Sequence, residues 1–113
     1  MKRVLLGHFG NIVKLGLDDL LRGEGCELVA EEASGEALVD RLVEALPDVV
    51  VLDLDDEQGT TTAKAISAAF PSVKVVAFSA DGQTMRVFPP FHRGESYAMA
   101  LSTEGLLETV SST

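Results

Sequence analysis

The chain has 113 residues, 46% of them hydrophobic and 24% charged, with a formal net charge of −9. That length fits one domain over residues 1–113 with a proper core, and leaves little room for a second. The acidic balance weighs against direct nucleic-acid binding, which draws its affinity from Lys and Arg on phosphates, and against anionic membranes. It is compatible with plain solubility or with a basic protein partner. Cys26 is the only cysteine, so no intrachain disulfide forms, and the cytoplasm is the expected compartment. An ordinary half-buried cysteine is expected there, because Glu27 beside it opposes a reactive thiolate. Gly7, His8 and Gly10 interrupt the apolar stretch that follows Lys2 and Arg3, so no signal peptide is read there. No apolar run approaches the length of a membrane span.

In chain order, short apolar runs alternate with helical periods. Val4-Leu5-Leu6 reads as a buried first strand. Asn11 is placed to cap a helix with Val13, Leu17, Leu20 and Leu21 on one face, and Gly23 and Gly25 end it. Leu28-Val29-Ala30 is a shorter second strand. Ser34 caps the next helix, whose stripe is Leu38, Leu42, Ala45 and Leu46, and Pro47-Asp48 stops it. Val49-Val50-Val51-Leu52 is apolar on both faces, as the middle of a parallel sheet requires. A polar loop from Asp53 to Gly59 leads to a helix of small residues from about Thr61 to Ala69, closed by Pro71. Val73 to Phe78 is the fourth strand. The β-α-β-α-β-α-β order predicts a parallel sheet with helices on both faces and right-handed crossovers.

The next segment breaks the pattern. Thr84 to Arg93 stands where a crossover helix belongs, yet it contains Pro89-Pro90, which removes helical hydrogen bonds and restricts the preceding residues. The expectation is a fourth helix shortened to one turn or replaced by an irregular loop. Tyr97 to Ala100 then reads as a weak fifth strand. Ser102 or Thr103 caps a last helix with Leu106, Leu107 and Val110 inward, and Glu104 suits the positive end of its dipole. No internal repeat, linker or low-complexity tract interrupts the chain.

Over nearly its whole length this pattern resembles the receiver domains of two-component response regulators, in particular receivers joined to LuxR-type DNA-binding domains. The residues that carry the resemblance are Arg3 to Leu6, Gly16-Leu17, Pro47-Asp48-Val49-Val50-Val51-Leu52-Asp53-Leu54, and Phe78-Ser79-Ala80. It implies a flavodoxin-like (βα)5 three-layer sandwich with a five-stranded parallel sheet and a site at the carboxyl end of the strands. In that family an aspartate at the tip of the third strand accepts a phosphoryl group, and Asp53 holds that position. A Ser or Thr after the fourth strand binds the phosphoryl oxygen, which puts Ser79 at the switch, with Tyr97 as its companion on the fifth strand. A lysine after the fifth strand and an acidic pair after the first, holding Mg²⁺, complete the set.

The departures are as informative. The alignment puts His8 and Phe9 where the acidic pair belongs; Phe9 cannot ligate a metal, and neutral imidazole is a poor replacement for carboxylate on Mg²⁺. The lysine position falls on Ala100, or on Leu101 if the strand slips by one. The loop after Asp53 is short, lacks the usual Met-Pro, and carries Asp55, Asp56 and Glu57, which repel an incoming phosphate. Phosphoryl transfer depends on positioning and on neutralising charge, so the set left here predicts no Mg²⁺-dependent phosphorylation of Asp53, no metal and no cofactor.

Several readings stand beside one another. Asp53 is a family remnant or a slow phosphoacceptor, and the acidic loop is a solvated turn or a weak cation site. Ser79 merely closes its strand or keeps a switch role, while Phe9 plugs the emptied pocket. Phe88, Pro89, Pro90 and Phe91 form an exposed partner patch or tuck under the loop as core. Together they predict an atypical, non-enzymatic receiver that regulates through protein contact. It docks a partner or a second copy through its fourth helix, fifth strand and fifth helix. A rival reading has the emptied pocket by His8, Asp53 and Ser79 sensing a small molecule. The last residues, Val110 to Thr113, stand where a linker to a DNA-binding domain would begin, so both a free-standing protein and the receiver part of a longer regulator are compatible with the sequence.

Overall fold

A computed structural model describes residues 2–7, 11–33, 35–55, 59–79, 82–91 and 95–111. The elements are β1 (Arg3–Gly7), α1 (Asn11–Gly23), β2 (Glu27–Ala33), α2 (Gly35–Ala45), β3 (Val49–Asp53), α3 (Gly59–Ala69), β4 (Lys74–Ser79), β5 (Thr84–Phe88), β6 (Tyr97–Ala100) and α4 (Thr103–Ser111). The strands form one six-stranded sheet in the order β2-β1-β3-β4-β5-β6.

Alternation along the strands splits the core into two layers. Val4, Leu6, Val49, Val51, Val76 and Phe78 face Leu17 and Leu21 of α1 and Leu106 and Val110 of α4. Leu5, Val50, Leu52, Val75 and Ala77 face Leu42 of α2 and Ala63 and Ile66 of α3. The α/β sandwich expected from the alternation of runs is therefore present. β1, β2, β3 and β4 pair in parallel, as buried crossovers demand. Asp48 ties the amino end of this sheet together: its N–H donates to the Arg3 carbonyl at 2.8 Å, and its carboxylate accepts from the Arg3 N–H at 2.9 Å.

The fourth crossover departs from expectation. The five-stranded parallel sheet with a shortened or irregular fourth helix is corrected to a six-stranded mixed sheet, because Thr84 to Phe88 forms a strand antiparallel to β4. The residues explain it. Met85 and Val87 alternate inward on the α1/α4 face, and Phe88 on the other. That is a strand period, and Pro89 ends the strand where no further N–H is called for. Gln83, at φ 54, lies in the hairpin turn before β5. Tyr97 to Ala100 does form the predicted strand, but it pairs antiparallel with β5 and lies at the sheet's edge.

At the last helix, Ser102 rather than Thr103 is the cap: its Oγ accepts from Gly105 N–H at 3.0 Å. Cys26 is buried, and burial pushes its thiol pKa up, with Glu24 adding to the effect. Lys74 is the buried cation of the sheet's amino end, where its Nζ donates to the Thr109 carbonyl of α4 at 2.9 Å. A cation near a helix C-terminus is favourable, but burial, with Lys2 adding to it, lowers the ammonium pKa below the ordinary lysine value of 10.5.

Two outcomes follow from these packing facts. The unfolded chain holds the Lys74 proton more tightly than the fold does, so Lys74 makes stability rise as pH climbs from its lowered value toward 10.5. Urea unfolding at a series of alkaline pH values is expected to show a smaller rise for Lys74→Met than for the parent. Ser67 Oγ on α3 is buried with no hydrogen-bond partner among the described residues. Ser67→Ala is therefore expected to raise unfolding stability by about 1 kcal/mol, read from the denaturant midpoint.

Candidate functional site

Asp53 ends β3 at the carboxyl edge of the sheet and is half-buried. Its position is set from below by the buried Val49 to Leu52 and from the side by the parallel register Asp53↔Phe78. Leu54 N–H donates to the Phe78 carbonyl at 2.8 Å, so the loop leaves the sheet pinned to β4. Asp53 Oδ1 then accepts from the Asp55 N–H at 2.9 Å, an Asx-type turn in which the carboxylate closes its own loop.

Ser79 lies at the end of β4, buried, beside this turn. Its hydroxyl donates to Asp55 Oδ1 at 2.5 Å and accepts from Gly82 N–H at 2.8 Å. Thr84 Oγ1 donates to the Gly82 carbonyl at 3.0 Å, which fixes the hairpin that presents this amide. A Cβ on Gly82 would come within 3.0 Å of Ser79 Oγ, so the absence of a side chain there lets the amide approach. The structure thus brings Asp53, Asp55 and Ser79 together. Asp55 is the residue whose role the sequence reading missed; its spacing of two from Asp53 is the signal for such a turn.

Both described carboxylates are engaged in local hydrogen bonds. Mg²⁺ demands near-octahedral oxygen donors, and among the described residues no group of three His, Cys, Asp or Glu side chains gathers that could hold a metal. His8 and Phe9, which the resemblance sets at the acidic-pair positions, lie outside the described residues, as do Asp56 and Glu57 of the acidic loop; the sequence has no carboxylate at 8 or 9.

Ala100 is exposed at the end of β6, in the row Ser79↔Thr84↔Ala100. Because β5 intervenes, β6 is three strand positions from β3. At about 4.8 Å per strand, that is roughly 14 Å from Asp53 across the sheet, against about 10 Å if β6 lay directly on β4. A lysine at Ala100, with a stem of roughly 6 Å, would not reach Asp53.

The remaining candidates separate. Phe88 is core at 1% exposure, packed with Val75 and Ala77, which corrects its place in an exposed patch. Pro89 and Pro90 are half-buried, and Phe91 is 74% exposed with φ 65. Because β5 runs antiparallel, Phe91 lies at the amino end of β4, where its N–H donates to the Pro71 carbonyl at 2.7 Å. That end is opposite to Asp53. Tyr97, the companion of the switch residue by resemblance, is half-exposed and pairs with Val87 at the same far end, away from Ser79. An open cleft of about 280 Å³ lies between α1 and α4, lined by Leu17, Leu20, Phe78, Leu101 and Leu106 among others. Asp53 and Ser79 do not line it.

A mostly parallel α/β sheet with an aspartate at its third strand tip and a serine at its fourth is the arrangement of a receiver-like domain. The comparisons agree. No protein-family model matches the chain. The chemotaxis protein CheY of Thermotoga maritima is 28% identical over 95 residues, 82% of this chain and 79% of that protein. The isolated receiver domain of RcsB from Salmonella enterica serovar Typhimurium, solved with the phosphomimetic BeF3⁻, superposes with a TM-score of 0.60 at 26% identity, over 69% of this chain and 61% of that one. The NarL signal receiver domain from Mycobacterium tuberculosis gives a TM-score of 0.59 at 27% identity, over 70% and 66%. The matches thus span just under two thirds of those two solved chains. The chain is thus similar to the response-regulator receiver domains of two-component systems and shares their flavodoxin-like fold. Among the described residues no helix is long and apolar enough to cross a membrane.

Ser79→Ala removes both the donor to Asp55 and the acceptor of the Gly82 amide. It is expected to lower unfolding stability by about 1–2 kcal/mol and to speed amide exchange at Gly82, read by urea titration and hydrogen-exchange NMR.

Proposed function

We propose that this receiver works by protein contact, independently of Mg²⁺-dependent aspartyl phosphorylation, as a non-enzymatic cytoplasmic module in two-component signalling and the control of transcription. The observation that carries this reading is β5. By occupying the position beside β4, it removes the strand that would bring a cation to Asp53. The Asp55–Ser79 hydrogen bond supports it, because the hydroxyl a phosphoryl oxygen would need already faces a carboxylate. So does the loop chemistry, which sets negative charge where phosphoryl transfer needs positive. The docking surface is no longer a helix-strand-helix face. It comprises the β5–β6 side of the sheet and α4.

The α1/α4 cleft favours a second reading, a small apolar ligand bound away from the phosphorylation-equivalent residues. It would act by changing how α4 sits on the sheet.

An amide NMR titration with Mg²⁺ and then with Mg²⁺ plus beryllofluoride tests the leading reading. No saturable shifts are expected at Asp53, Asp55 or Ser79, and Ala100→Lys is expected to leave that result unchanged. Saturable shifts spreading from Asp53 to Ser79 would show a working phosphoacceptor and overturn the reading.

A further inference from the structure

The sheet has two edges, and they differ in charge. The β2 edge carries Glu27, Glu31 and Glu32. The β6 edge reads Tyr97-Ala98-Met99-Ala100, exposed throughout, and lies within an uncharged run from Ser96 to Thr103. Edge strands are normally protected by charge, proline or a covering element. Among the described residues β6 has no strand on its outer side, and its own residues carry neither charge nor proline.

The backbone directions at this edge are determined. Leu101 N–H donates to the Gln83 carbonyl at 2.8 Å, so the polar groups of residue 101 point toward β5. Alternation along the antiparallel ladder then points those of Met99 and Tyr97 inward and those of Ala98 and Ala100 outward. The side chains alternate as well. Met99 lies on the α4 side, where its Cε is 3.6 Å from the point a Gly105 Cβ would occupy. Tyr97, two residues away, shares that face at 51% exposure, against 37% for Met99, while Ala98 and Ala100 lie on the opposite face.

We propose that two copies of this chain pair through β6, antiparallel, about a two-fold axis through Ala98. The inference rests on the protein-contact reading above and names the partner. In this register the two Ala98 residues exchange their outward N–H···O bonds. Each Tyr97 then lies directly across from Met99 of the second copy, in the close, non-hydrogen-bonded position that brings side chains together. Thioether against aromatic ring is a favourable contact, and the two-fold makes it twice. Ala98 and Ala100 leave the other face free of bulk. Charge selects the copy and the edge: a chain of net charge −9 repels itself over most of its surface, and the neutral β6 edge lets two copies approach where the glutamate-bearing β2 edge does not. A four-residue strand is small against the roughly 1,600 Å² of a stable interface, so the dimer is a dissociable one.

The test uses the whole chain. Sedimentation velocity over a concentration series is expected to show a monomer–dimer equilibrium. Hydrogen exchange at high concentration is expected to slow the Ala98 amide at least tenfold relative to dilute protein, with Met99 unchanged. Ala98→Pro deletes that outward N–H, which an edge strand tolerates, and is expected to give a monomer. Met99→Lys, which keeps the backbone donors and adds charge to the edge, is expected to weaken dimerisation at least tenfold and serves if the proline variant does not fold. A monomer at every concentration, or a dimer indifferent to both substitutions, overturns edge pairing. Neither result touches the beryllofluoride titration, which judges the phosphorylation-independent reading separately.

Discussion

A strand buried at every residue must have the backbone groups on both its edges paired, because no water reaches them. β4, Lys74 to Ser79, is such a strand. On one side it meets β3; the other side has to be filled by the chain that follows. In a plain (βα)5 sheet the next parallel strand fills it after a crossover helix. Here Pro89-Pro90 removes that helix, and the nearer segment Thr84 to Phe88 turns back and supplies the pairing. Most of what distinguishes this domain from a plain (βα)5 sheet follows from that substitution of a hairpin for a crossover.

The consequence at the carboxyl end is geometric. The strand that ends in Ala100 is moved outward by one position, away from Asp53. Near Asp53 runs a short chain of hydrogen bonds. Asp53 holds the Asp55 amide, Asp55 holds the Ser79 hydroxyl, and Ser79 holds the Gly82 amide of the new hairpin. The same hairpin that sets β6 outward supplies the last donor, so the outer position of Ala100 and the engagement of Ser79 are two effects of one rearrangement. At the amino end, the reversed direction of β5 carries Phe88 into the core and leaves Phe91 outside it. At the side, it creates an antiparallel edge with uncharged residues.

The layers, the parallel order of the first four strands and the places of Asp53 and Ser79 were legible in the amino-acid sequence. They rest on local signals: Val49 to Leu52 is apolar on both faces, Leu17 and Leu21 are one helical turn apart, and Pro47-Asp48 and Pro71 are stops. That positions 8, 9 and 100 carry no carboxylate or ammonium was legible because residue identity needs no structure; that they are the acidic-pair and lysine positions is what the resemblance implies. What the sequence could not decide was the fate of Thr84 to Phe88. A short run with two possible periods forms a strand only if another strand offers it hydrogen bonds, and β4's open edge is a property of the assembled sheet. The partner of Ser79, the burial of Phe88 and the outward direction of the Ala98 amide all depend on that pairing. Local chemistry by itself determined which groups the site owns; the tertiary hydrogen-bond ladder decided which of them meet.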